Sequence, residues 1–128
     1  MNPKDAIDLL LAVPYVPGAG NWGGSDCWGV VELWYRHVLG VELDDRAGFP
    51  AGMKSVQAAV DTTTAWRSIE APQDHCLVLM RAGQISYGHV GVFYDRHVLH
   101  SGEQHGCVYQ PISHRAIQSM TTGYLVRS

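Results

Sequence analysis

The second half of this chain is a succession of short runs of β-branched and aromatic residues, separated by Gly, Asp or Ser. Runs of this length and composition predict strands. The first half carries helical patterns instead, and helices followed by consecutive strands predict an α+β domain with an antiparallel sheet. The 128 residues have the length of one domain, 1–128. The strand-like runs are HCLVLM, GHVGVFYD, HVLHS, GCVYQPI and TGYLVRS.

The first predicted helix has clear start and stop signals. Asn2 suits an N-cap and Pro3 suits the first helical position, so a helix is expected from Pro3 to about Val13, where Pro14 stops it. A segment rich in Gly and Pro follows, up to Ser25. It predicts a loop with tight backbone turns.

The second predicted helix begins at a cysteine. From Cys27, apolar residues recur at offsets 3, 4, 7 and 11, which is the spacing of one helix face. The helix is expected to run to about Leu39, closed by Gly40. Cys27 therefore lies at a helix start and on the buried face. A weaker, short third helix is expected from Pro50 to about Asp61.

As a nucleophile, Cys27 would need a partner. A free thiol with a pKa near 8.5 is only about 3% thiolate at pH 7. A helix N-terminus stabilises an anion by roughly 0.3–1 kcal/mol, which is less than one pKa unit. A nearby imidazolium can supply the rest, so the question is which of the seven histidines can meet Cys27.

Two histidines flank the best hairpin in the sequence, GHVGVFYD followed by RHVLHS. With a two-residue loop at Asp95 and Arg96, His89 and His100 share one face of the sheet. His100 is then opposite Gly91 and diagonal to His89, at about 7–8 Å between Cβ atoms, a gap that two rings can close. A three-residue loop would put the two histidines on opposite faces, so the register decides this step.

A thiol at a helix start, a strand histidine and a second ring to hold it form the nucleophile, base and orienter of cysteine hydrolases. The order of the motifs resembles the NlpC-type bacterial cell-wall endopeptidases, a compact papain-like group. The resemblance covers most of the chain from Tyr15 onward. It implies a papain-like NlpC-type fold, with N-terminal helices packed on an antiparallel sheet and the catalytic Cys at a helix N-terminus. The matching residues are Tyr15, Gly23, Gly24, Asp26, Cys27, Gly29, Val30, HVGVFYD from His89, and VLHS with His100.

The resemblance also implies roles for individual residues. Cys27 would be the nucleophile, His89 the general base and acid, and His100 the polar residue that orients His89. Tyr15 would lie near the catalytic sulfur and position the thiol or polarise the scissile carbonyl. Asp26 would help bind the free amino end of the substrate, and the Cys27 backbone N–H would meet the oxyanion. No metal and no cofactor are implied.

One position departs from the family pattern. Trp28 stands where the family usually has a Ser that contacts the substrate amino end, so Trp28 joins the expected substrate-binding residues and fine specificity is open. DCWG is similar to variants in short domains associated with phage or prophage tails. The resemblance therefore implies a cysteine endopeptidase acting on peptidoglycan stem peptides, at the bond between γ-D-glutamate and the diamino acid. Its partners would be the stem peptide and other tail proteins.

Other interpretations of the same residues stay open. Cys27 could pack as a small hydrophobe, His100 could be a strand histidine satisfied by a neighbour, and Asp26 could serve only the helix N-terminus. The chain would then be a catalytically inert tail structural or wall-binding module. A related Cys/His amidase or acyltransferase would use the same catalytic parts.

Three cysteines, an odd number without a CxxC pair, do not indicate a disulfide framework. Cys76 and Cys107 are expected in the core. A zinc site from His97, His100, His105 and Cys107 has suitable ligand types. However, His97 and His100 are three apart in a strand and would point to opposite faces.

Charge and patterning exclude several function classes. The formal net charge is −3 and Lys and Arg are scattered, so no nucleic-acid partner is expected. The N-terminal apolar run is interrupted by Asp5 and Asp8 and has no basic lead, so no signal peptide and no membrane span are expected. The protein would be made in the cytoplasm, and a virion would deliver it to the wall.

Overall fold

The computed structural model describes residues 1–43, 66–82 and 85–127. Within them, helices accompany a large antiparallel sheet, which confirms the predicted α+β class. The predicted third helix, Pro50 to about Asp61, lies outside the described residues. The helices are α1 (Pro3–Leu10), α2 (Cys27–Trp34) and α3 (Arg115–Met120), with a π-helical turn at Tyr35–Leu39. The strands are β1 (Gly20–Asn21), β2 (Gly24–Ser25), β3 (Trp66–Ile69), β4 (Leu77–Ala82), β5 (Ile85–Tyr94), β6 (His97–Gly102), β7 (Gly106–Pro111) and β8 (Thr121–Arg127).

Six strands form the main sheet, in the order β3-β8-β4-β5-β6-β7, with every neighbouring pair antiparallel. The strands β4 to β8 coincide with the five predicted runs. The sequence does not predict β3, α3 or the two-residue strands β1 and β2, which lie in the predicted loop up to Ser25. β3 has four residues, two of them exposed, and α3 has six, which is too short for a helical period to show.

The helix signals in the sequence match the structure at three of four ends. The Asn2 side chain accepts the Asp5 N–H at 2.9 Å as the N-cap of α1. α1 ends at Leu10, which is earlier than the expected Val13, because the next residues form turns. α2 begins at the predicted residue, and Gly40, with φ +69°, closes the π-helical turn that follows it. Among the described residues, no helix is long and apolar enough to cross a membrane.

Two core clusters lie on the two faces of the sheet. The larger one joins α1 and α2 to the sheet, and includes Val30 of α2 with Val90 and Leu99, all fully buried. Val98, which alternates with Leu99, packs instead with Ile117 of α3 in the smaller cluster.

The β5–β6 hairpin has the predicted two-residue loop. Asp95 and Arg96 both have positive φ, +49° and +62°, as a type I′ turn requires. The register pairs Tyr94 with His97, so paired residue numbers sum to an odd value. The register that places both histidines on one face is therefore confirmed.

Candidate active site

A short backbone bridge brings Tyr15 to the start of α2. The Ser25 N–H donates to the Pro14 carbonyl and the Val16 N–H donates to the Ser25 carbonyl, both at 3.0 Å. Two residues after Ser25, Cys27 opens α2 and is 5% exposed. Tyr15 and Cys27 consequently line the same pocket.

Asp26 ties the loop to the first turn of α2. Its Oδ1 accepts the Gly29 N–H at 2.8 Å, and its Oδ2 accepts the Gly18 N–H at 3.0 Å. The side chain is almost fully buried, and charge-assisted bonds of this kind are the stronger ones. Asp26 is therefore the N-cap that fixes where the helix, and with it Cys27, begins.

The two histidines of the hairpin contact each other directly. His89 Nε2 and His100 Nδ1 are 2.9 Å apart, and the ring planes are at 80°. Gly91 makes room for this contact, because a Cβ there would lie 2.6 Å from Val98 Cγ1 and 3.0 Å from His100 Cβ. The register of the hairpin and the absence of a side chain at Gly91 thus allow the two rings to meet.

His100 uses its second ring nitrogen as well. Its Nε2 lies 2.8 Å from Gln110 Oε1, on the neighbouring strand β7. His100 is 3% exposed, whereas His89 is only partly buried. The His100 ring is therefore held at both of its nitrogens, whereas His89 has its second nitrogen, Nδ1, left for the pocket.

Burial keeps both imidazoles neutral at pH 7. It lowers the pKa of His89 to about 4, with further lowering from positive charge on His100 and His105. Burial also lowers the pKa of His100; the hydrogen bond to Gln110 opposes that shift and charge on His105 adds to it. A neutral His89 can accept a proton, as a general base must.

Burial raises the pKa of the Tyr15 hydroxyl, and negative charge on Cys27, Asp26 and Glu103 raises it further. Tyr15 is thus a neutral O–H group beside the thiol at ordinary pH. It can donate a hydrogen bond into the pocket.

Four of the predicted site residues line one pocket of about 260 Å³: Tyr15, Cys27, His89 and His100. The pocket is a concave site in which a thiol, two neutral imidazoles and a phenol converge. Its other lining residues are Arg81, Gly88, Ser101, Gly102, Glu103, His105 and Met120.

The pocket combines residues from both faces of the sheet. His89 alternates with Val90, which packs on the α2 side, so His89 belongs to the face covered by α3. Met120 of α3 lines the pocket on that side, and Cys27 of α2 lines it on the other. The register of β4 shifts next to Met80, the residue paired with His89. A register shift of this kind increases the local twist of the strand.

Trp28 lies in the core. Its indole is 4% exposed and packs edge-on against Trp66, with ring centroids 6.4 Å apart. Among the described residues, neither Trp28 nor Asp26 belongs to the pocket lining. The structure therefore brings four of the six predicted site residues together at the pocket surface and places the other two behind it.

Several lining residues are absent from the sequence prediction. Glu103 and His105 follow His100 within five positions, in the turn that ends the strand. Their closeness to His100 in the sequence could therefore have indicated that they lie near the site. Arg81 on β4 and Met120 on α3 meet the site only through the strand order. No local pattern points to them.

A smaller pocket, of about 190 Å³, also contains a thiol and an imidazole, Cys76 and His75. Burial raises the pKa of the Cys76 thiol, and His75 Nδ1 accepts a hydrogen bond from Trp34 Nε1 at 3.1 Å. A larger groove, of about 610 Å³, is lined by residues of β3, α3 and β8 together with connecting residues, and it contains neither Cys nor His. Within residues 1–43, 66–82 and 85–127, no group of three or more His, Cys, Asp or Glu could hold a metal ion. His97, considered above as a zinc ligand, stacks on Tyr109 with ring centroids 4.5 Å apart.

Comparison with known proteins identifies a family. The model of the NlpC/P60 family matches residues 12–126. No curated protein sequence matches the chain significantly.

Solved structures share the fold. The NlpC/P60 domain of the peptidoglycan hydrolase SagA has a TM-score of 0.64 and 14% identity, over 96% of this chain and 94% of that one. A lipoprotein-like NLP/P60 protein from Staphylococcus aureus has a TM-score of 0.65 and 22% identity, over 95% of this chain and 38% of that one. An NlpC/P60 family protein from Bacillus cereus has a TM-score of 0.67 and 18% identity, over 94% and 37%. The chain thus spans well under half the length of the latter two proteins, and the expected NlpC-type fold is confirmed.

Proposed function

The chain belongs to the NlpC/P60 family, and we propose that it is a cysteine peptidase that hydrolyses peptidoglycan stem peptides. The observation that carries the proposal is the convergence of Cys27, His89 and His100 on one pocket, with the two rings 2.9 Å apart. SagA, whose NlpC/P60 domain shares this fold, is itself described as a peptidoglycan hydrolase.

The proposed reaction follows from the protonation states. The Cys27 thiol gives its proton to neutral His89 while its sulfur attacks the scissile carbonyl carbon. The C–N bond then breaks, and the proton passes from His89 to the leaving amine. Water attacks the resulting thioester, gives its proton to His89, and releases the acid and the thiol. The N-terminal end of α2 presents a positive dipole end to the oxyanion, and Tyr15 can donate a hydrogen bond nearby.

We propose the bond between γ-D-glutamate and the diamino acid as the one cleaved. The support is the family resemblance of the Tyr15, Cys27, His89 and His100 motifs. Arg81 and Glu103 give the pocket one charge of each sign, which suits a zwitterionic peptide. Substrate-binding roles for Asp26 and Trp28 stay predictions, and any such role would act through the start of α2.

Digestion of purified muropeptides followed by mass spectrometry tests the proposed function. The expected product pair carries a new carboxyl group on γ-D-glutamate and a new amine on the diamino acid, with one water added. Transfer of the acyl group to an added amine, without hydrolysis, would assign the chain to the acyltransferases. Failure to cleave any muropeptide would contradict the proposal.

The acid limb of kcat/KM should lie well below the ordinary histidine range. The base must be unprotonated, so activity is present above the pKa of His89 and falls as the pH drops through it. Burial and neighbouring charge lower that pKa to about 4. We therefore expect kcat/KM to be near its maximum at pH 5 and to reach half of its maximum near pH 4. His105→Gln removes one neighbouring positive charge and should move the limb upward. A wild-type limb near pH 6.5 would contradict the expected environment of His89.

Thiol reactivity separates an enzyme from an inert module of the same fold. If Cys27 passes its proton to His89, the resulting thiolate lies beside an imidazolium, and Cys27 should be alkylated by iodoacetamide at pH 6–7 faster than a free cysteine. Cys76 and Cys107 are internal controls, because burial raises the pKa of both, that of Cys107 to about 12. Labelling should be confined to Cys27, and His89→Gln should slow it. Labelling no faster than a free thiol would favour the inert module.

We further propose association with a phage or prophage tail. The support is the DCWG motif, in which Trp28 stands where a Ser is usual. Mass spectrometry of purified tail particles tests this. Peptides of this chain in the particles would support the association. Their absence from tail particles whose genes lie beside the gene of this chain would contradict the association.

A further inference from the structure

We infer that Gln110 is a positioning residue that fixes the tautomers of His100 and His89 and thereby leaves Nδ1 of His89 as the proton acceptor. The inference rests on the proposed function, because a proton acceptor matters only if Cys27 reacts. It is carried by two contacts in series: Gln110 Oε1 to His100 Nε2 at 2.8 Å, and His100 Nδ1 to His89 Nε2 at 2.9 Å.

The proton positions follow from counting donors. Oε1 of Gln110 is a carbonyl oxygen and only accepts, so Nε2 of His100 carries the hydrogen. A neutral imidazole has one N–H, so Nδ1 of His100 is unprotonated and accepts from Nε2–H of His89. Nδ1 of His89 then holds a lone pair that can take the thiol proton. The reverse tautomer of His100 would set two acceptors against each other at 2.8 Å.

The sheet register builds this series from three adjacent strands. His100 on β6 is paired with Val108 on β7, and Gln110 is paired with Val98. Gln110 is therefore diagonal to His100 on the same face, as His100 is diagonal to His89 across the preceding hairpin. Gln110 is half-buried and does not belong to the described lining of the pocket. Its contact with the site is therefore the hydrogen bond to His100.

Charged and titratable groups surround the two rings on several elements. Cys27 lies on α2, Tyr15 on the loop before it, Arg81 on β4, and Glu103 and His105 in the turn after β6. The ring centroid of His105 lies 5.6 Å from that of His100. A variant at Gln110 leaves all of them in place. Changes in the pH profile can then be assigned to the hydrogen-bonded series of Gln110, His100 and His89.

Ring nitrogen NMR on the ¹⁵N-histidine-labelled wild-type protein tests the assignment without substrate. Near pH 7, His100 and His89 should both be protonated at Nε2 and unprotonated at Nδ1. Turning the Gln110 amide would present an N–H to His100 and reverse both tautomers. A spectrum with His100 protonated at Nδ1 would therefore overturn the inference.

Two variants of Gln110 should act in different ways. Gln110→Met keeps the length of the side chain but removes the acceptor, so plateau kcat should fall about tenfold or more with KM nearly unchanged. Gln110→Glu keeps an acceptor and adds negative charge, which favours the doubly protonated form of His100. That form directs an N–H at Nε2 of His89 and so withdraws the proton acceptor. The acid limb of the pH profile should therefore shift about one pH unit higher, while the plateau kcat stays within a few-fold of the wild-type value.

Gln118→Met, an exposed position on α3, is the matched control and should leave both quantities unchanged. A wild-type plateau in Gln110→Met, or an unmoved acid limb in folded Gln110→Glu, would refute the inference. A wild-type protein that cleaves no muropeptide would refute only the proposed function. The NMR spectrum would still decide the tautomers in that case.

Discussion

Replacing Cys27 by alanine is expected to lower the rate of stem-peptide cleavage by at least about a thousand-fold. The remaining groups, His89 and His100, can polarise water but cannot form the thioester through which the proposed reaction passes. The fold should persist, because Cys27 is a small residue at the first position of α2 and loses only its sulfur. Cleavage of purified muropeptides, followed over time by mass spectrometry, measures the effect.

Cys76→Ala is the matched control for this prediction. Cys76 is also a buried free thiol, 1% exposed, but it packs in the cluster beneath α3 and does not line the pocket. It should retain wild-type cleavage with a thermal midpoint lower by only a few degrees. Equal cleavage by Cys27→Ala and the wild-type protein would reject the cysteine mechanism.

Local sequence signals account for the nucleophile and its base. The Cys27 stripe predicts a buried helix start, and the structure has that helix begin at that residue. The two-residue turn at Asp95 and Arg96 sets the register of β5 and β6, so the proximity of His89 and His100 follows from the hairpin alone. These features depend on contacts between close neighbours in the chain, which residue spacing can reveal.

The contact between Gln110 on β7 and His100 could not be predicted in the same way. The connection from β6 to β7 is a three-residue turn, followed by Gly106, the first residue of β7, which has φ +67°. Its register fixes which residue of β7 meets His100, and the sequence does not distinguish Gln110 from its neighbours. Arg81 and Met120 are further examples, because they reach the pocket through a β4 irregularity and through a six-residue helix. The packing of Trp28 against Trp66 likewise depends on a distant strand.

Gly29→Ala is the second prediction with a large expected effect. In the interior of an exposed helix this change usually stabilises by roughly 0.5–1 kcal/mol, because alanine loses less backbone entropy. Here a Cβ would overlap the carbonyl oxygen of Ala19 and lie 2.9 Å from both Gly20 Cα and Ser25 Cβ. Two of these three atoms are backbone, so no side chain can rotate to relieve the overlap.

The steric cost should exceed the gain in helix propensity. Overpacking typically costs about 1–3 kcal/mol and more where backbone must move, so a net loss of about 2 kcal/mol in the free energy of unfolding is expected, measured by denaturant titration. The Ala19 carbonyl also accepts the Asp26 N–H at 3.1 Å, so its displacement should disturb the start of α2 and slow cleavage as well. Gly123→Ala is the control: its Cβ would meet only Leu79 Cδ1, at 3.9 Å, and stability should change by less than about 1 kcal/mol. Equal stability of the two variants would mean that the close approach of the loop to α2 does not fix where Cys27 lies.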